Sequence, residues 1–312
     1  MARNVKPRNV KPDDRGFTII VVLWVITLLT LILIGFLRSA STHTRIAGNT
    51  VSSARAEALA DAGVYLALLD LLAAADGNTS NTKLPLNALR ACWNTPGETV
   101  SFLIEDTGGR VDINAASQPL LAALLAGLGN GPNEANSGAA AIIDYRDHDN
   151  DTLAGGAEAR DYAAAGLTYA PKNARFDTVE ELESVLGFGY ERTKALLPFV
   201  TVHSGLTGID PATASPRLLA VLRHGETALN PGATGLSAQS QSGFYASSSR
   251  QFFIVSSNAE TADGSQFVRE VVVELSGRRS RIFALRSWKR SDGSMPRAGN
   301  RAELPPCRTF TG

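Results

Sequence analysis

The sequence predicts an α+β fold: one long N-terminal helix packed on a small antiparallel sheet, with a large helical domain inserted between strands. Three observations carry this prediction. A helical pattern without proline runs from Phe17 to about Asp76, strand patterns stand near Thr99 and again after Gln251, and Ala- and Leu-rich segments broken by Gly, Pro and Asn lie between them.

The helix opens with an uncharged run, Phe17 to Leu37, FTIIVVLWVITLLTLILIGFL. About twenty such residues span a bilayer core. Arg3, Lys6, Arg8, Lys11 and Arg15 precede it, opposed only by Asp13 and Asp14. That charge bias keeps the N-terminus in the cytoplasm and places everything after Leu37 outside. Ser39-Ala40-Ser41 offers the small residues of a signal-peptide cleavage site, but the run exceeds the roughly 7–15 apolar residues of such a peptide. A plain signal anchor fits its length. The Gly16-Phe17 junction, where a basic leader meets an aromatic residue, resembles the precursors of the type IV pilin class.

Beyond Arg38, Leu59, Ala62, Gly63, Leu66, Leu69, Leu72 and Ala73 recur near helical spacing, which predicts one face packed on a globular domain. Asp76-Gly77-Asn78 supplies the stop. A short strand over Thr99–Glu105, a Gly108-Gly109 turn and a second strand over Arg110–Ile113 follow. The helical block then runs to about Arg223, and Asn230–Ser249 reads as a flexible connection. Gln251–Ser256, Gln266–Leu275 and Arg281–Trp288 complete the strands, the second alternating apolar and charged residues as a half-covered sheet requires.

The helical block carries a weak repeat. Ile113-Asn114-Ala115-Ala116-Ser117 precedes Pro119 and an apolar helix, and Ile209-Asp210-Pro211-Ala212-Thr213-Ala214-Ser215 precedes Pro216 and another. In each, a serine stands at an N-cap distance and proline in the first turn. Between them, Phe176–Leu182 leading to Leu186-Gly187-Phe188-Gly189 reads as a further capped helix. Such units are similar to helix-hairpin-helix modules. Their loops hold almost no lysine or arginine to meet phosphates, so small helices packing on each other is the favoured reading and no nucleic acid is expected.

The sharpest local chemistry is Asp147-His148-Asp149-Asn150-Asp151-Thr152-Leu153-Ala154-Gly155-Gly156-Ala157-Glu158. Carboxylates at relative positions 1, 3, 5 and 12 reproduce the spacing of an EF-hand calcium loop. Asp147, Asp149, Asp151 and Glu158 are the expected ligands, with Leu153 through its carbonyl and Asp144 and Asp161 as auxiliaries. Calcium suits a long acidic loop better than the smaller magnesium ion. Thr152 stands where the loop ordinarily has glycine. The other reading is a solvated acidic loop.

Formal charge is zero, so no general attraction to polyanions follows. The two cysteines, Cys92 and Cys307, either pair in an oxidising compartment or stand as separate thiols. None of His43, His148, His203 and His224 sits in a metal-hydrolase spacing, and neither a nucleophile elbow nor a phosphate-binding glycine loop is present. An enzyme is not expected.

Several of these segments, in this order, carry a wider resemblance: Arg15-Gly16-Phe17, Gly109-Arg110-Val111-Asp112-Ile113-Asn114-Ala115-Ala116-Ser117, Ile143-Asp144-Tyr145-Arg146-Asp147, Gly156-Ala157-Glu158, Leu197–Val202 and Ile209–Ala214. The chain resembles the K subunit family of the type II secretion system, general secretion pathway protein K. That resemblance implies a prepilin leader at 1–16, removed by the prepilin peptidase between Gly16 and Phe17, and methylation of the new N-terminus. It implies a transmembrane segment at 17–37, a periplasmic continuation of the helix at 38–76, a head formed by 77–112 and 231–312, and an inserted helical domain at 113–230. It further implies a minor pseudopilin of the inner membrane that caps the pseudopilus tip with the I and J minor pseudopilins. Other pseudopilins, the inner-membrane platform and secreted substrates are then further partners, and the helical domain binds calcium. Val21 stands at the fifth mature position, where most such subunits carry a glutamate that pairs with the subunit above; a tip subunit has none above it, and a carboxylate in hydrocarbon is costly. The alternative is a type IV pilus minor pilin acting in adhesion or DNA uptake.

Overall fold

The structure is a computed structural model that describes residues 15–75, 92–95, 97–230, 243–278 and 281–291; the side chains of 15–18, 38–45, 92–95, 277–278 and 281 are outside the description. The chain divides into two compact units, residues 1–54 and 55–312. Helix α1 spans Arg15–Ala75, the length expected from the absence of proline. In the first unit its apolar side chains from Ile19 to Leu37 are all exposed, as suits a helix solvated by lipid.

In the second unit, α1 packs on a five-stranded antiparallel sheet of order β1-β2-β5-β6-β7, built from Cys92–Thr95, Glu98–Asp106, Phe252–Glu260, Gln266–Arg278 and Arg281–Arg290. Alternation decides which side chains meet the helix: Phe102 and Ile104 of β2, Phe253 and Val255 of β5, and Val271 and Val273 of β6 form one core with Val64, Ala67, Leu68 and Leu71. The buried stripe of α1 is Ala56, Ala60, Gly63, Val64, Ala67, Leu68 and Leu71. The expected face lay mostly one residue away, and Leu69 is 62% exposed. Size explains the shift. A Cβ on Gly63 would stand 2.1 Å from Ser257 Oγ, so the line of closest approach takes alanine and glycine and pushes large residues aside.

Arg269 of β6 ties this packing together. Its guanidinium bonds Asp61 and Glu57 of α1, each at 2.6 Å, and lies over the rings of Phe267 and Trp288. Arg269 is buried while its carboxylate partners are partly exposed, so solvent screening reduces what the pairs contribute. Arg269→Ala is expected to cost about 2 kcal/mol, mainly through lost packing and uncompensated acids. Thermal unfolding checks this; an unchanged midpoint would show the contact to be idle.

The helical insertion enters after β2 and returns to β5. Its helices are α2 Gln118–Gly127, α3 Pro132–Arg146, α4 Ala159–Ala164, α5 Gly189–Leu196 and α6 Pro216–Leu229, with a 3-10 segment at Val179–Ser184 where a full helix was expected. The second short strand expected over Arg110–Ile113 is not in the head sheet. Val111–Asp112 forms β3, which pairs in parallel with β4, Val200–Thr201, inside the insertion. The reason is a 3-10 turn at Thr107–Gly109, with Gly108 N–H donating to Asp106, which carries the chain off the sheet. The insertion therefore begins before residue 113.

The repeat is structural as well as sequential. Asp112 and Asp210 occupy corresponding positions, and each turns the chain by accepting the N–H two residues on, from Asn114 and Ala212. The carbonyl of each then accepts two further N–H bonds. The helices that follow, α2 and α6, cross at Gly127 and Gly225: a Cβ on Gly225 would stand 1.8 Å from Ala123 O, and one on Gly127 would stand 2.0 Å from Val221 O. The return path is anchored too. Ser248 donates from its N–H to Asp210 and from its hydroxyl to Asp106, and Tyr245 bridges Ile209. The connection expected to be flexible over 230–249 is thus fixed in its last part, while 231–242 lies outside the described residues.

Candidate metal centre

The acidic loop runs from the end of α3 to the start of α4, in a helix–loop–helix frame. Asp147, Asp149 and Glu158 converge: one carboxylate oxygen from each lies within 4.8 Å of the others. Oxygens that bind calcium at about 2.3–2.6 Å lie at most about 5 Å apart, so this spacing admits one such ion. Glu158 is only 4% exposed, and beyond the N–H groups of the first turn of α4 its oxygens meet no donor; Asp147 Oδ1 is buried without one. A buried carboxylate with no donor is unfavourable unless a proton or a cation compensates it. The residues present therefore fit a hard cation.

Electrostatics point the same way. Burial raises the Glu158 carboxyl above its ordinary value, and the charges of Asp144 and Asp147 raise it further. Burial and then Asp149 do the same to Asp147. Asp144 is fully buried and raised chiefly by desolvation, against which the Leu153 N–H, shared between its two oxygens at 3.3 and 3.2 Å, acts in the opposite sense. Asp144 thereby fixes the middle of the loop from beneath. Gly156 packs so closely on it that a Cβ there would stand 2.0 Å from Asp144 Oδ2.

One expected ligand lies outside the cluster, and another is partly engaged within the loop. Asp151 is exposed and outside the cluster, its N–H donating to Asp149 at 3.0 Å. The Leu153 carbonyl accepts the Gly156 N–H at 2.8 Å. The cause is the residue at the sixth loop position. Thr152 does not take the left-handed turn that glycine allows, and the chain turns instead at Gly155, with φ of 83°. Asp161 serves the loop as a cap, accepting the Glu158 N–H at 2.9 Å. Asn173 was not anticipated: it adopts φ of 47° and donates to Asp149 O and Asn150 Oδ1, pinning the loop from outside. A lone asparagine between Lys172 and Ala174 gives no periodic signal by which to find it.

Gly16 and Phe17 lie in the first turn of α1. Cys92 opens β1, and Cys307 lies outside the described residues.

The family of type II secretion system (T2SS) protein K matches residues 82–205. The type II secretion system protein K of Pectobacterium carotovorum subsp. carotovorum is 39% identical over 77 residues, 25% of this chain and 24% of that protein. The chain thus matches about a quarter of that relative's length. A chain in the crystal structure of the GspK-GspI-GspJ complex from the enterotoxigenic Escherichia coli type 2 secretion system aligns with a TM-score of 0.54 and 16% identity, over 81% of this chain and 99% of that one. That likeness carries the fold: a long helix, an antiparallel sheet and a helical insertion. The segment matched by the family holds the acidic loop and β1 to β4, and over that segment the chain is similar to type II secretion system protein K.

Proposed function

We propose that this chain is a minor pseudopilin at the tip of the type II secretion pseudopilus, where it helps initiate pseudopilus assembly and protein export across the outer membrane. The observation that carries the reading is one helix of 61 residues with two environments: exposed and apolar over Ile19–Leu37, and packed on the sheet from Ala56 to Leu71. That division and the basic residues before Phe17 support a single anchor in the inner membrane with the head and insertion in the periplasm. Cleavage between Gly16 and Phe17, and methylation of Phe17, belong to the same reading. So does the absence of an acid at Val21, which suits a subunit with no neighbour above it. The role is architectural rather than enzymatic.

The similar solved structure is a complex with GspI and GspJ, and the corresponding I and J subunits are the partners proposed here. Calcium is the cation proposed for Asp147, Asp149 and Glu158; when bound it would neutralise their repulsion and join the end of α3 to the start of α4. Co-expression of the full chain with its I and J counterparts, followed by purification in detergent through a tag on one of them, tests the partnership. A stable complex of all three is expected. A chain recovered alone, indifferent to both, would contradict the reading and favour a minor pilin of a type IV pilus.

A further inference from the structure

Strand β7 ends the sheet on one side, and among the described residues nothing pairs with its outer edge. It is ten residues long and free of proline, and Ile282, Leu285 and Trp288 are exposed on it. Bulges against β6 at Val272/Val273 and Leu275/Arg278 re-aim the strand without shortening it. A bare edge of this kind is a template for another chain and is ordinarily blunted.

The register shows what a chain on that edge would meet. Phe283, Leu285 and Trp288 stand opposite Leu275, Val273 and Val271, on the side of the sheet that faces α1. The Trp288 ring lies 6.0 Å from that of Tyr65, itself exposed, and exposed Leu69 is one helical turn further on. These residues form an apolar shelf beside the open edge.

Charge selects the occupant. Residues 275–291 hold six arginines and lysines and no carboxylate, in a chain whose net charge is zero. Arg286 is matched by Glu274, and Lys289 by Glu180 and Glu270. Arg290 lies over the Phe267 ring and makes no ion pair among the described residues. Two copies of β7 paired antiparallel would set Arg281 against Arg290 at both ends, and like charges directly opposite are unfavourable. The chain's own tail, 292–312, has three prolines and more basic than acidic residues, which disfavours it as the pairing strand. We propose that the β7 edge receives an extended, acidic segment of a different polypeptide by strand addition. The inference does not depend on the assembly in which the chain works.

The probe is a fluorescein-labelled ten-residue peptide that alternates Glu or Thr with Val or Phe, titrated into the full-length protein in detergent and followed by anisotropy. Its controls are the same peptide with Lys for Glu, and the acidic peptide N-methylated at every second amide along the pairing edge. The acidic peptide is expected to bind at least tenfold tighter than either control, and Arg290→Glu is expected to reverse the order of the acidic and basic peptides. Equal binding of the N-methylated peptide, the absence of binding, or binding that emerges only after deletion of 292–312 would each overturn the proposal.

Discussion

Gly225→Leu is expected to separate α2 from α6 and destabilise the helical insertion by about 3 kcal/mol. The physical reason is that the obstruction is backbone: the first added carbon would meet Ala123 O at 1.8 Å and the Gly127 N at 2.8 Å. No rotamer change relieves such a contact, and only movement of a whole helix can. Leucine's better helix propensity returns about 1 kcal/mol at most, so loss of packing decides the sign. The midpoint of thermal unfolding should fall by roughly 6–12 °C for a unit of this size. Gly131→Ala, at φ of −62° with open space around it, should leave the midpoint unchanged. A leucine variant as stable as the parent would mean that the two repeats do not touch as described.

Calcium at about a hundredfold excess over its Kd is expected to stabilise the protein by about 2.7 kcal/mol, which is a rise in midpoint of roughly 5–11 °C. Glu158→Gln should abolish that rise. It should also make the metal-free protein more stable than the parent, because it removes a buried charge crowded by Asp144 and Asp147. Asp151→Asn should keep most of the calcium response, since Asp151 lies outside the cluster. The pH dependence has a definite sign. The carboxyls of Glu158, Asp147 and Asp144 are raised in the folded protein, so the folded state holds more protons than the unfolded one. The contribution of these three carboxyls to the stability of the metal-free protein is therefore greatest below the ordinary carboxyl range and is lost as pH rises through the raised values. Calcium should oppose that decline. A midpoint indifferent to millimolar calcium at neutral pH would remove the metal assignment.

What was legible in the sequence had a period or a motif behind it. The length of α1 followed from an unbroken apolar pattern, and β5, β6 and β7 from apolar and β-branched runs between turns, each extending a few residues beyond the expected end. The Ser-Pro repeat placed the starts of α2 and α6. The acidic spacing brought out three residues that converge and one, Asp151, that does not, because spacing alone cannot show where the backbone turns. Thr152 moved that turn to Gly155. The parallel β3–β4 pair was hidden because two-residue strands have no period to read, and their partners are far apart in sequence. The buried stripe of α1 was displaced because hydrophobicity ranks leucine above alanine, whereas close approach to a sheet ranks them the other way. Arg269 was invisible for a related reason: its acids and rings come from α1, β6 and β7 together.

The proposed subunit begins at Phe17 and stays anchored by the helix that follows. Intact-mass measurement of the protein extracted from the membranes of its native host tests this most directly. The predicted result is a chain lacking residues 1–16 and carrying one methyl group on Phe17. A membrane-bound chain that retains its first sixteen residues, or a soluble chain that starts near Ser41, would contradict it.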